Sequence, residues 1–187
     1  MIRVLSVLVL AVVLAAVQSC VPPDCDHNSC GGCGNACCLV GFRITSEMTS
    51  TQVNDAIVTS LKSGGADGRY TFVGDEDLRQ YKIPDGTQFL LQAIHSTKVH
   101  HYNDTLNFAI GEHAESGHVM VRGFSISQIY GAYCDDGQNY KNVVGFIKGV
   151  TTLKWESEIM HGCTNKTHPD TQLRNNFPMH RLPSTGN

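Results

Sequence analysis

Histidine is the residue type with the most chemistry to offer here: His95, His100, His101, His113 and His118 crowd the middle of the chain. On a strand running through residues 95 to 101, His95 and His101 would face the same side, since strand side chains alternate. A hairpin carrying His113 and His118 would bring two more imidazoles close. Three converging imidazoles could bind zinc or copper. None of the spacings is an established ligand motif, so the competing expectation is that these are polar residues on the solvent face of a half-exposed sheet.

Other chemistries find less support. Gly123-Phe124-Ser125-Ile126-Ser127 lacks the second glycine of a nucleophile elbow, so no catalytic serine is expected. An even number of cysteines, eight, argues against an unpaired thiol nucleophile. Lys62-Ser63-Gly64-Gly65 falls at the end of an expected helix, whereas phosphate-binding loops precede a helix start. Asp75, Glu76 and Asp77 read as a solvated turn rather than an acid/base pair. Cys30-Gly31-Gly32-Cys33 has the C-x2-C spacing of zinc sites, with Asp26 and His27 nearby, but no second pair follows at ribbon or finger distance. Asp24-x-Asp26-x-Asn28 opens like a calcium loop, yet Ser29 stands where that loop needs glycine and Asn35 where it needs glutamate. No catalytic residue, metal or other cofactor is assigned.

The elements that would position these residues are legible by period. Thr49-x-x-Gln52 fits a capping box, and Val53, Ile57 and Leu61 line one helix face until Gly64-Gly65 ends it. Strand-like runs cover residues 69 to 73, 88 to 97, 98 to 102, 105 to 110 and 118 to 126, joined by short turn-rich links such as Pro84-Asp85-Gly86. Short links make neighbouring strands antiparallel. Asp135-Asp136-Gly137 then offers capping oxygens to a helix with Tyr140, Val143, Ile147 and Val150 at helical spacing. The expected fold is α+β: an antiparallel meander of four to five strands between an N-terminal and a C-terminal helix, with both helices on one sheet face. A disulfide-rich coil precedes it.

That coil holds Cys20, Cys25, Cys30, Cys33, Cys37 and Cys38, interspersed with proline and glycine and without period. Adjacent cysteines rarely bridge each other, so Cys37 and Cys38 are expected to have different partners. Cys134 and Cys163 bracket the last helix, and a bond between them would close a loop worth roughly 3 to 4 kcal/mol. The alternative ties each back to the amino-terminal cluster.

The first nineteen residues place Arg3 ahead of an apolar run from Val4 to Val17 and end in Gln18-Ser19, the order of a secretory signal peptide cut after Ser19. The rival is a lipoprotein signal acylated at Cys20, for which Gln18 is a poor processing residue. The apolar run is shorter than the roughly 20 residues of a membrane helix, and no second one follows. A transmembrane segment is therefore not expected. Without Arg3 the 14 basic residues fall to 13 against 17 acidic, a balance of −4, which offers no basic surface for nucleic acid. Disulfides behind a leader imply an oxidising compartment. Asn103-Asp104-Thr105 and Asn165-Lys166-Thr167 fit the N-glycosylation pattern at Asn103 and Asn165. The expected organisation is a signal peptide over 1–19, a cysteine-rich segment over 20–38, one α+β domain over 39–163 and a disordered tail over 164–187.

The run from Leu91 to Phe108, LQAIHSTKVHHYNDTLNF, resembles the central hairpin of the family called domain of unknown function 1499. Val119-Met120-Val121-Arg122-Gly123-Phe124-Ser125 is similar to that family's next strand, and Asp135-Asp136-Gly137-Gln138-Asn139 to its D-x-G-x-N entry to the closing helix. The resemblance spans roughly residues 38 to 150. The chain departs from it at Ile126, where the family usually has arginine, and in extra residues before Cys134. It implies an α+β domain and no known activity. Any family site would use Asp104, Arg122, Asp135 and Asn139; otherwise these cap the helix and complete hydrogen bonds around it. Together these features point to a secreted, disulfide-bonded glycoprotein without catalytic activity that binds an unknown extracellular partner or matrix. A metal-dependent protein using the sheet histidines and a small-ligand carrier with a pocket between sheet and helices are the alternatives.

Overall fold

The structure, a computed structural model, describes residues 37–113, 116–129 and 137–163. Cysteines 20, 25, 30, 33 and 134, the acceptor Asn165, Asp135 and the expected leader and tail lie outside them. In chain order the elements are β1 (Cys37–Ile44), α1 (Ser50–Lys62), β2 (Tyr70–Asp77), a single 3-10 turn (Arg79–Tyr81), β3 (Thr87–Ser96), β4 (Asn103–Glu112), β5 (Val119–Ser127), α2 (Gln138–Gly149) and β6 (Trp155–His161). All strand pairs are antiparallel, in one six-stranded sheet ordered β2-β3-β4-β5-β1-β6.

The fold is α+β, as expected, but two strands and their placement differ from the expected meander. β1 falls partly within the stretch read as coil, and it sits inside the sheet between β5 and β6. β6 follows α2, so that helix is not the last element. Residues 98 to 102 are not a strand. They form the tip of the β3–β4 hairpin, closed by the Thr97 N–H to the Tyr102 carbonyl at 2.9 Å and the Tyr102 N–H to Thr97 Oγ1 at 2.9 Å. Asp75, Glu76 and Asp77 belong to edge strand β2 rather than to a turn, and carboxylates on an edge repel further strand pairing.

Helix α1 starts where the capping box placed it. The Thr49 side chain accepts from the Gln52 N–H while the Gln52 side chain accepts from the Thr49 N–H, and Val53, Ile57 and Leu61 are buried. Helix α2 has Gly137 at its N-cap, in the left-handed region with φ 73°, while Asp135 and Asp136, the expected source of capping oxygens, lie outside the described residues. Glycine takes that backbone shape without the Cβ clash that other residues suffer.

Both helices share one core with the same sheet face. Phe42, Leu91, Leu106, Phe108, Ile110 and Val121 meet Val53, Ile57, Leu61, Val143, Phe146 and Ile147 there, all essentially without solvent contact. Each fully buried side chain of this size stabilises by roughly 1.5–3 kcal/mol. Phe146 packs against Phe108 and Tyr70, with ring centroids at 5.2 and 5.0 Å, and Phe42 meets Trp155 edge-on. Gly123 sets the closeness of α2, because a Cβ at that position would lie 2.5 Å from Val143 Cγ1.

Cys38 bonds to Cys163 across 125 residues of sequence, which corrects the expected Cys134–Cys163 bridge in favour of the tie to the amino-terminal cysteines. The reason is the sheet order: β6 runs beside β1, with Leu39 opposite His161, so Cys163 arrives at Cys38 as the strands pair. Cys37 is disulfide-bonded too, so the adjacent cysteines do have separate partners.

Candidate functional site

One end of the core is polar, and several of the residues singled out by sequence meet there. Strand alternation turns Asp104 inward toward α2, and register sets it opposite His95. Ser125 points inward from β5, and Asn139 and Asn142 point down from the first turns of α2. All five are buried. Asn142 Nδ2 donates to Asp104 Oδ2 at 2.7 Å and to Ser125 Oγ at 3.3 Å, and Ser125 Oγ donates to Asn139 Oδ1 at 2.6 Å. Gln138 Nε2 donates to Asn142 Oδ1 at 2.6 Å, and the Tyr70 hydroxyl donates to the Asn142 carbonyl at 2.8 Å. Asn142 is the centre of the network.

His95 borders it. The ring is 2 % exposed and lies 4.6 Å from the Tyr70 ring, with Nε2 held 3.2 Å from Asp67 Oδ2. Burial raises the Asp67 carboxyl, but hydrogen bonds from His95 and the Arg69 N–H, with the charges of both residues, outweigh it and hold it below the usual range. Burial, reinforced by the Asp67 charge, pushes the Tyr70 phenol well up, so it remains a neutral donor. His95 and Asp67 form the base-and-orienter half of a catalytic set. Among the described residues no hydroxyl or thiol is hydrogen-bonded to the other ring nitrogen, Nδ1, which is buried without a partner.

The histidines do not converge. β3 ends at Ser96, so His95 stays in the core while His101 sits exposed on the hairpin tip with φ 53°. His113 and His118 flank the β4–β5 hairpin at the far end of β4, about 30 Å from His95 at 3.3 Å per residue. Among the described residues no three His, Cys, Asp or Glu side chains are grouped to hold a metal ion. The strand assumed through residues 95 to 101 does not exist, and the shared face falls with it.

The motif residues divide. Asp104 and Asn139 join the polar network, whereas Arg122 lies on the opposite sheet face, 2.9 Å from Asp85 Oδ2 and 3.1 Å from Thr87 Oγ1. Burial raises the Asp85 carboxyl, but hydrogen bonds from Thr87 and the Arg122 charge and hydrogen bond bring it below its ordinary value. Sequence reasoning missed Asn142, Ser125 and Tyr70. Their signal was present as polar residues at inward positions: Asn139 and Asn142, three apart, interrupt the apolar stripe of α2 just where Ser125 interrupts that of β5.

The network's donors and acceptors satisfy one another among Asp104, Ser125, Gln138, Asn139 and Asn142. Its evident work is to fix the start of α2 onto β4 and β5. An open hollow of about 400 Å³ lies elsewhere, between the β1–α1 link and the β4–β5 hairpin, lined by Ile44, Ser46, Met48, Glu112, His118 and Val119. No protein-family model, curated protein or solved structure matches the chain.

Proposed function

We propose that this protein is an extracellular, disulfide-stapled and N-glycosylated domain that acts by binding a partner or matrix component rather than by catalysis. The observation that carries this reading is the Cys38–Cys163 bond, with Cys38 fully buried and the bond tying the first strand to the residues just after the last one. Such bonds form and persist in oxidising compartments. The leader-like first nineteen residues and the two acceptor motifs support the same address. The non-catalytic reading is supported by His95, whose Nε2 is held by Asp67 while its buried Nδ1 has no hydrogen-bond partner among the described residues. The kinship with the domain of unknown function 1499 family is part of the proposal, with Asp104 and Asn139 as members of a structural knot.

The test is expression of the whole chain with its own first residues in a eukaryotic secretory cell. The expected product is found in the medium, begins at Cys20 and contains no free thiol. A chain retained in the cytosol with an intact amino terminus and free thiols would refute the proposal. A hydrolase panel tests the second half: turnover abolished by one substitution would end the non-catalytic reading.

A second reading, a small-ligand carrier, is favoured by the open hollow near Glu112 and His118. It lies at the end of the sheet rather than between sheet and helices. Displacement of an environment-sensitive apolar dye by candidate ligands, lost in Val119→Arg, would support it.

A further inference from the structure

The β3–β4 hairpin tip is the most apolar exposed point among the described residues. Val99 is 75 % exposed and Tyr102 49 %. The tip is built to stay in that shape: Thr97 closes it through backbone and side chain, and the His100 and Tyr102 rings stack at 5.1 Å with 21° between their planes. The residue after Tyr102 is the acceptor Asn103. Along β4 the acceptor motif is split by strand alternation. Asp104 turns into the core and is bonded to Asn142, while Asn103 and Thr105 share the opposite face. Asn103 is exposed, and its Oδ1 accepts from Ser96 Oγ at 2.6 Å, which turns Nδ2 away from that contact.

We infer that Asn103 carries an N-linked glycan whose innermost sugars cover the Val99/Tyr102 tip. The inference rests on the extracellular reading above and goes further in giving the glycan a place and a task. In the attachment step Nδ2 of Asn103 bonds to the anomeric carbon of an oligosaccharide carried on a lipid diphosphate. The bond from that carbon to the diphosphate oxygen breaks, the lipid diphosphate leaves with the electron pair, and Nδ2 gives up one proton. The step must precede folding, because β4 pairing afterwards holds residues 103 to 105 extended between β3 and β5. The folded hairpin leaves Asn103 in solvent, so the fold accepts the modified residue. A pyranose presents a face of C–H groups that settles on the negative face of an aromatic ring, and the stacked His100/Tyr102 pair supplies such a face. Covered in this way, the tip no longer offers apolar surface to other molecules.

The test uses the full chain behind an unrelated secretory leader in a eukaryotic host, so that entry into the glycosylating compartment does not depend on the chain's own first residues. Peptide mass spectrometry after enzymatic deglycosylation is expected to read Asp in place of Asn at position 103, and Thr105→Ala to abolish that change. Native deglycosylation, with circular dichroism unchanged, is expected to raise apolar-dye fluorescence several-fold. Val99→Ser combined with Tyr102→Ser is expected to remove most of that rise. An unmodified Asn103 in secreted protein overturns the inference, as does a dye signal that neither deglycosylation nor the double substitution moves. If the chain's own leader fails while Asn103 is occupied behind the unrelated one, the extracellular proposal falls and takes the native glycan with it; if the chain is exported and Asn103 stays bare, the glycan inference alone falls.

Discussion

Asn142→Ala is the most informative single change, because one side chain joins β4, β5 and the first turn of α2 at the polar end of the core. The substitution removes the 2.7 Å bond to the Asp104 carboxylate, the weaker bond to Ser125 and the acceptor for Gln138, while the Tyr70 bond to the backbone carbonyl survives. A hydrogen bond to a charged group contributes about 1.5–3 kcal/mol and a neutral one about 0.5–1.5 kcal/mol, so the expected loss is about 3 kcal/mol. Against a total of about 5–15 kcal/mol this moves the unfolding midpoint visibly. Urea unfolding of the oxidised protein, followed by the fluorescence of Trp155, the only tryptophan, reads the loss directly. Asp104→Asn removes the charge and keeps the shape. If the carboxylate bond dominates, the double variant should be less destabilised than the sum of the singles by about 1–2 kcal/mol. A single-variant loss below about 0.5 kcal/mol, or additivity within that error, would refute the claim that this network anchors α2.

Three further outcomes follow from the same structure. Cys38→Ala combined with Cys163→Ala should destabilise by up to about 4.9 kcal/mol in the chain-entropy model for a 125-residue separation, measured by denaturant unfolding, and peptide mapping of the parent should recover the Cys38–Cys163 pair. Gly123→Val should cost more stability than Gly123→Ala, in thermal unfolding, because the first Cβ already meets Val143 and two more carbons must displace α2. Asp67 and Asp85 both hold folded-state values below the ordinary carboxylate range, so each contributes stability at neutral pH that is lost as pH falls below about 4 toward the folded value. Asp85→Asn should therefore flatten the acid limb of the stability profile, and a limb unchanged in slope would remove the Asp85–Arg122 account.

How far the chain can be read unaided depends on how many faces of each element are buried. α1 was legible because one stripe, one capping box and one Gly-Gly stop agree. β3, β4 and β5 were legible from period and from the turns between them. β1 was not, because an interior strand flanked on both sides buries Cys37 to Phe42 without alternation, and such a run following a cysteine-rich coil has no strand signature. β6 was missed for the opposite reason: an edge strand tolerates Glu156 and Glu158, which dilute its pattern. The hairpin tip was misread because valine, histidine and tyrosine favour strands locally, while the reversal there is imposed by the pairing of β3 with β4. The polar network needed the register that brings Asp104 opposite His95 and the packing that lays Asn142 against Asp104 and Ser125, neither of which any local window contains. The Cys38–Cys163 bond likewise depends on strand order alone.

That strand order makes synthesis and assembly run out of step. β1 leaves the ribosome first, yet each of its two neighbours is made late: β5 only as far as residue 127 and β6 at residue 161. Until then the most apolar strand of the sheet has no native place to go, and its thiols meet nearer sulfurs before Cys163 exists. Long-range pairing of this kind is slow and exposes sticky intermediates. Refolding of the reduced chain is therefore expected to be slow and to speed up when a holdase and a disulfide isomerase are supplied.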